Sequence, residues 1–346
     1  MTSKNKSTKS CLIIGGGISG LIAGTIVQRK GIKVTILDKG RGIGGRLATR
    51  RIRHASYGIG VFDYGMQFFT VKEPIFQRWV DQWLIEGIVK EWSNHLSGTE
   101  TPCYRGVDSN RSLAQHLAKE LEVHLQTRAI SLRKCCRTAI TGNDSAWTVE
   151  TETGKSFQGD SLIMTPPLPQ SLSLLENSGI TLPLSIKSRL EQVTYYPCIS
   201  VLALLDNLSL IPEPGGLRLD HPSLAWIGCN HRKGISPQGF AMTIHSTPEF
   251  SQDHWNTDDS IMGEKLLEMA SSWLGSTVVD YQVHRWRYSH PKTVYGDSFL
   301  ALDDPGLLIL AGDAFCRTPA SNVSLSLEKA ALSGIAAGKY LLNFQQ

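Results

Sequence analysis

The sequence predicts an α/β protein in which a doubly wound nucleotide-binding domain carries an inserted antiparallel-sheet domain. Three observations lead there. An apolar strand, Cys11 to Ile14, runs into Gly15-Gly16-Gly17-Ile18-Ser19-Gly20 and then a helical stretch that stops near Gly31. A second strand, Val34 to Leu37, ends in an acid, Asp38, eighteen residues past Gly20. Near the far end, Leu307 to Ala311 forms a third apolar strand that leads into Gly312-Asp313.

In the first turn Gly15 permits the tight bend, Gly17 lets the backbone approach a pyrophosphate, and Gly20 lets helix and strand pack closely. Ile18 and Ser19 begin the helix, whose unpaired N–H groups face the phosphate charge. Asp38, with Lys39 beside it, is placed to accept hydrogen bonds from a ribose diol. The run from Lys39 to Arg51 adds a second glycine nest, Gly44-Gly45, and the guanidinium of Arg46 near the pyrophosphate. Arg50, Arg51 and Arg53 read equally as a solvated basic face or as further contacts to the ligand.

The middle of the chain offers a helix from Ser112 to Leu121, a strand from Val123 to Thr127, a hairpin-like run from Trp147 to Phe157, and a buried strand, Ser161 to Met164, ended by Thr165-Pro166-Pro167. Together these patterns place the nucleotide domain at 10–70, 105–170 and 295–346. The intervening 71–104 and 171–294 form a substrate domain around strands Ile199 to Leu205, Ser223 to Cys229 and Phe240 to His245. In the first insert Ile75, Phe76, Trp79, Val80, Trp83, Leu84 and Ile88 recur at helical spacing, which reads as a core face rather than a membrane or partner face. The last helix, Leu325 to Leu341, carries Ala330, Ala331, Ser333, Gly334, Ala336, Ala337 and Gly338, which suit close packing.

With 346 residues and 41% hydrophobic content, the chain can bury one large core or two interleaved ones. Its net charge of +4 is not arranged as a long basic stripe, so nucleic acid is not a partner, while the cluster from Arg41 to His54 suits a phosphate-bearing ligand. Seven scattered cysteines without a CxxC pair point to a reducing, cytoplasmic compartment, and the adjacent Cys135 and Cys136 read as thiols without a redox role. Lys4, Lys6 and Lys9 precede the glycine turn itself, not a removable leader, and no run reaches the ~18 apolar residues of a membrane helix, so the protein is expected to be soluble with no membrane partner. No metal is expected: His54, His221, His231, His284 and His290 lack ligand spacing and read as structural or surface residues.

The Gly44-Gly45-Arg46 element resembles flavoproteins of the amine-oxidase and glutathione-reductase type, which makes FAD the expected cofactor. More specifically, Phe62-Asp63-Tyr64-Gly65-Met66-Gln67-Phe68-Phe69-Thr70, Tyr196-Pro197-Cys198, Leu224-Ala225-Trp226-Ile227, His284-Arg285-Trp286-Arg287-Tyr288 and Ala331-Leu332-Ser333-Gly334 resemble successive blocks of the renalase family, in order from Leu12 to Leu342. That resemblance implies a Rossmann-like FAD-binding domain and an oxidase that accepts hydride from isomers of NAD(P)H and passes electrons to dioxygen, giving hydrogen peroxide. It further implies that Asp313 accepts from the flavin ribitol chain, that Gly65, Met66, Gln67 and Leu327 border the cofactor, that backbone near Ala129 receives the adenine, and that the last helix aims its N-terminus at the flavin pyrimidine.

Lys329 stands where the family usually has glycine, the run Ala314 to Asn322 is longer and more polar than the family pattern, and Ser109-Asn110-Arg111 replaces a glycine turn. These departures leave substrate identity open. Gln67, Phe68, Tyr196, Asn230 and His245 are candidates for the catalytic face of the flavin, although Tyr196 and His245 read equally as residues bonded within the sheet; Arg287 either contacts a substrate phosphate or holds the sheet edge. No second G-x-G-x-x-G exists, so the reductant occupies the substrate pocket. The competing readings are an amine or isoprenoid/pigment oxidoreductase on the same scaffold, and a flavin-binding regulatory protein without turnover.

Overall fold

In a strand, odd and even side chains point to opposite faces, and a parallel sheet covered on both sides needs both sets apolar. Ser10–Ile14, Lys33–Leu37, Ser161–Met164 and Leu308–Leu310 meet that condition and build the middle of a six-stranded sheet. In the computed structural model, which describes residues 9–93, 96, 101–134, 147–303, 306–317 and 326–344, the strand order is 300–302, 308–310, 161–164, 10–14, 33–37 and 122–124. All pairs are parallel except 300–302 with 308–310.

Cys11, Ile13, Ile36, Ile163 and Ile309 face one cluster with the helices Ile18–Gln28 and Ser326–Phe344. Leu12, Ile14, Leu162, Met164 and Leu310 face the other, against Leu132, Trp147 and Val149 of a three-stranded antiparallel sheet (129–134, 147–151, 156–159). The two long helices cross at glycines: a Cβ on Gly334 would lie 2.3 Å from the Ser19 carbonyl oxygen, and one on Gly338 would lie 3.2 Å from that of Ala23. The small residues expected to allow close packing therefore do so against the very helix that opens at the glycine turn.

The insert helix forms at Pro74–Ile85 and buries Phe76, Val80 and Trp83 in the first of those clusters, with Ile75, Trp79 and Ile88 packed against it, whereas Leu84, expected on the same face, is exposed. Glu328, at the start of the last helix, is buried and accepts from the Lys72 and Glu73 N–H groups at 2.7 and 2.8 Å, placing an anion at the start of this helix.

The second sheet has five antiparallel strands ordered 216–218, 224–229, 240–246, 195–205 and 278–291. Three of them lie where the sequence placed them. The long strand Val278–Pro291 adds the edge nearest the nucleotide half, and periodicity could not have found it because nearly all of it is half-buried, with no alternation of buried and exposed positions, and most of its residues are polar or aromatic. Boundaries also shift. The helix expected from Ser112 begins at Asn110, and the strand expected over 123–127 closes at His124, where the chain turns so that Gln126 and Thr127 donate to the carbonyls of Gly40 and Asp38 at 2.9 and 2.8 Å. Cys135, Cys136 and residues 318–325 of the polar run lie outside the described residues.

Candidate active site

One cleft of about 1700 Å³ runs from the C-terminal ends of the parallel strands to the face of the antiparallel sheet. Ordinary small-molecule pockets occupy roughly 300–1,000 Å³, so this one has room for an extended dinucleotide and a second ligand together.

At its nucleotide end Gly15 adopts a φ of +105°, and the helix Ile18–Gln28 begins at Gly17 with no side-chain cap, leaving its first N–H groups open. A Cβ on Gly17 would meet nothing within 4 Å, whereas one on Gly20 would lie 2.1 Å from the Gly15 oxygen. Gly17 thus keeps a cradle empty, and Gly20, which is not in the cleft wall, serves packing alone. The Ser19 hydroxyl, also in the wall, is buried without a partner. Gly44 and Gly45 are both left-handed, at φ +112° and +56°, and Gly44 donates to Gly16 O at 2.9 Å, which lays this second nest beside the first turn.

The Asp38 carboxylate accepts from the Gly16 and Gly40 N–H groups, each at 2.6 Å, and each oxygen keeps a lone pair for a ribose hydroxyl. Beside it, Lys39 donates to Gln170 Oε1 at 2.9 Å and its pKa is lowered, chiefly by burial. Ala129, with Arg128 and Ile130, closes this end.

At the opposite end of the nucleotide half, Gly312 (φ +131°) donates to Ser333 Oγ at 2.9 Å, which ties the Gly-Asp turn to the last helix. Asp313 pairs with Arg46, whose Nη1 also donates to Ser289 O at 3.1 Å. The Tyr195 hydroxyl donates to the other Asp313 oxygen at 3.2 Å; burial, with the Asp313 charge added, pushes that phenol well above its ordinary range. Gly65 and Met66 pass directly over the Arg46 backbone: Met66 N–H donates to Arg46 O at 2.9 Å, and a Cβ on Gly65 would come within 2.3 Å of that oxygen. Leu327 lines the same corner.

Across the cleft, Gln67 Nε2 donates to Asp63 O at 2.5 Å while its Oε1 is buried and unpartnered. Phe68 packs on Trp226 with ring centroids 5.4 Å apart. His245 donates from Nε2 to Tyr64 O at 3.0 Å, and burial pushes its pKa down to about 4, so it faces the cleft as a neutral ring. Trp286 donates to the same carbonyl at 2.9 Å and stacks on Tyr64 at 5.1 Å. Around these rings stand three arginines of the wall. Arg50 lies 4.8 Å over Tyr64, Arg218 lies 5.6 Å from Phe68 while donating to Leu96 O at 3.0 Å, and Arg287 lies 5.1 Å over Trp255.

Not every candidate reaches this wall. Tyr196 stands outside it, between the His290 ring at 5.0 Å and the Lys292 ammonium at 5.6 Å, and Asn230 is buried behind it with Nδ2 donating to Thr243 Oγ1 at 2.8 Å. Conversely His284 and His290, read from sequence as structural or surface residues, both line the cleft, each held near pKa 4 by burial and then by Arg50 and Arg46 respectively. Tyr64 and Trp286, which the sequence marks only as members of the family-like blocks, also line it, and Tyr195 reaches it through Asp313. Among the described residues no group of three or more His, Cys, Asp or Glu could hold a metal ion, and no helix is long and apolar enough to cross a membrane.

A parallel sheet whose first turn leaves a helix start open, and whose last strand returns a carboxylate to the same cleft about 300 residues later, defines a flavin-dependent oxidoreductase. Residues 13–83 match the model of the NAD(P)-binding Rossmann-like domain and residues 93–342 that of the flavin containing amine oxidoreductases. The chain belongs to the flavin containing amine oxidoreductase family; it is a renalase-like enzyme, and its cofactor is FAD. It is 24% identical to renalase of Mus musculus over 326 residues, which is 89% of this chain and 93% of that protein. It also shares its fold with a candidate protoporphyrinogen oxidase from Exiguobacterium sp. 255-15, at a TM-score of 0.69 and 14% identity, over 98% of this chain and 100% of that one. The empty cradle at Gly17, the orphaned Ser19 hydroxyl and the paired glycine nests fit such a cofactor.

Proposed function

We propose that this enzyme oxidises misplaced-hydride isomers of NAD(P)H and passes the electrons to dioxygen, forming hydrogen peroxide. FAD, when bound, would supply the redox chemistry: it would accept two electrons and a proton from the substrate and pass both electrons, with that proton and one from water, to dioxygen. In this reading Ser19, the open helix start and the Gly44-Gly45 nest hold the pyrophosphate, Asp38, Lys39 and Ala129 the adenosine end, and Arg46, Asp313, Gly65, Met66 and Leu327 the ribitol and ring. Gln67, Phe68 and His245 border the substrate.

The observation that carries the substrate class is charge. Of the acids in the cleft wall, Asp38 and Glu152 lie at the adenosine end and Asp313 is paired with Arg46, so the substrate half presents Arg50, Arg218 and Arg287 among flat aromatic faces. That environment suits a planar ring joined to phosphates. Cys11 and Cys198 are buried free thiols and the sequence has no CxxC pair, which supports a reducing, cytoplasmic setting.

Anaerobic mixing of the holoenzyme with aged NADH and NADPH, followed at the flavin absorbance, tests the proposal. Rapid anaerobic bleaching is expected, with reoxidation and peroxide release once dioxygen is admitted. Bleaching by a lipophilic amine or tetrapyrrole, with none by the nicotinamide mixtures, overturns it in favour of the pigment-type alternative.

A further inference from the structure

Five charged side chains are buried among the described residues: Asp63, Arg105, Lys233, Asp313 and Glu328. The last two are accounted for, Asp313 by Arg46 and Glu328 by the two N–H groups it accepts. The other three form one cluster behind the Gln67 segment of the cleft wall. Lys233 Nζ lies 2.7 Å from Asp63 Oδ2 and donates a second bond to the Gln67 backbone oxygen. Asp63 also accepts from Thr49 Oγ1 at 2.8 Å and the Asn110 N–H at 3.1 Å, and Asn110 Nδ2 returns to Met66 O at 2.6 Å. Arg105 donates to the carbonyls of Gly106 and Val107 at 2.8 and 2.7 Å rather than to a carboxylate. The nearby Asp108 is exposed, where water screens it.

Two buried cations therefore share one buried anion. The cluster is tied by direct hydrogen bonds to Thr49 and Gln67, and through Asn110 to Met66, all of which belong to or border the cofactor cleft. Its field reaches the wall: Lys233 adds to the burial that keeps His245 neutral. A fixed positive excess in a poorly screened interior is of most use where negative charge develops during the reaction. FAD is such a place, because two electrons and one proton taken up by the oxidised ring leave it one negative charge richer, the electrons coming from the substrate being oxidised.

We propose that the buried Lys233–Asp63–Arg105 cluster is an electrostatic element of the redox site, whose net positive charge stabilises reduced, anionic FAD through the Gln67 wall. Lys233 and Arg105 are thus positioning and tuning residues that do not touch the substrate. The competing account is that the ion pair only anchors the substrate domain to the nucleotide domain.

The midpoint potential of bound FAD, read at pH 6 by equilibration with indicator dyes under dithionite, separates the two and requires no substrate. Lys233→Met removes one cation and is expected to move the potential to more negative values; Asp63→Asn removes the anion and is expected to move it to more positive values. Lys233→Arg and the double variant Asp63→Asn/Lys233→Met keep the net charge and should remain near wild type. Opposite shifts in the two single variants cannot come from a merely anchoring role. If Lys233→Met fails to retain FAD, the Asp63→Asn shift against the unshifted double variant decides. Potentials that do not move in the single variants, or that move the same way in the double variant as in Lys233→Met, overturn the proposal.

Discussion

Arg46 and Asp313, 267 residues apart in the chain, form an ion pair at the corner of the cofactor cleft, with Asp313 3% exposed and the Arg46 side chain 27%. The first glycine-rich segment and the last strand are held together there, so the cleft closes only when both ends of the chain are folded. Arg46→Ala leaves the Asp313 carboxylate with the Tyr195 and Ser326 hydroxyls alone. Because the arginine is partly exposed, the expected destabilisation is about 2–3 kcal/mol, below that of a fully buried pair. FAD affinity should fall at least ~10-fold, one charge-assisted contact's worth, while Arg46→Lys should recover part of it. The flavin-to-protein absorbance ratio after gel filtration checks this; normal occupancy in Arg46→Ala would contradict the assigned role.

Gly17→Ala and Gly20→Ala should fail in different ways. A methyl at Gly17 projects into open space, so the apoprotein should melt within ~1 °C of wild type while losing FAD, since the methyl occupies the phosphate cradle. At Gly20 the methyl meets the Gly15 oxygen at 2.1 Å, and overpacking should cost roughly 1–3 kcal/mol or more before any ligand is considered. Thermal unfolding with and without FAD separates the two; equal losses of apoprotein stability would refute the distinction.

The contrast between these residues also marks what the sequence made legible. Gly15, Gly17, Asp38 and Gly312 could be read because each acts within a few residues of its own strand end, where φ and spacing are local properties. Lys233 could not, because its partner Asp63 lies 170 residues away and nothing near Lys233 signals burial. Tyr196 is a candidate on its position before Pro197 alone. A register shift between Tyr196 and Cys198 breaks the two-residue alternation of that strand, and it is Tyr195 that reaches Asp313 while Cys198 reaches the cleft. His284 and His290 sit on the strand whose half-buried pattern carries no period; the family-like block that begins at His284 marks the strand, but nothing local turns either ring towards the cleft.

Glu328→Ala should destabilise the insert helix Pro74–Ile85 from a distance. Removing the carboxylate strands the Lys72 and Glu73 N–H groups at the start of that helix, a loss of about 1–2 kcal/mol by analogy with a deleted N-terminal cap. Glu328→Gln keeps an acceptor and should lose less. Hydrogen exchange at residues 72–78 is the direct readout. Unchanged protection in Glu328→Ala would show that the contact contributes nothing.

His245 makes stability depend on pH. Its folded pKa of about 4 lies below the ordinary 6.5, so between these values the unfolded chain binds a proton that the native protein does not. The contribution is complete above pH 6.5 and is lost as pH falls towards 4, on the order of 3 kcal/mol across the window. His284 and His290, depressed in the same direction, steepen the fall. Urea midpoints measured from pH 7.5 to 4.5 should drop accordingly, and His245→Asn should flatten part of that slope. An equally steep slope in the variant would mean that His245 is not responsible.

Arg218→Gln should separate substrate binding from chemistry. Arg218 is anchored on Leu96 O and lies over Phe68, so its charge is fixed at the substrate half of the cleft and its loss leaves the cofactor half untouched. If the substrate carries phosphate, a hydrogen bond between charged groups worth about 1.5–3 kcal/mol disappears from ground state and transition state alike. KM should then rise roughly 10- to 100-fold with kcat nearly constant, the signature of uniform binding. The wild-type KM should itself rise with ionic strength, and that dependence should weaken in the variant as one screened attraction is removed. A fall in kcat at unchanged KM would instead place Arg218 against the reacting ring, and an unchanged KM with no salt dependence would remove the case for an anionic substrate.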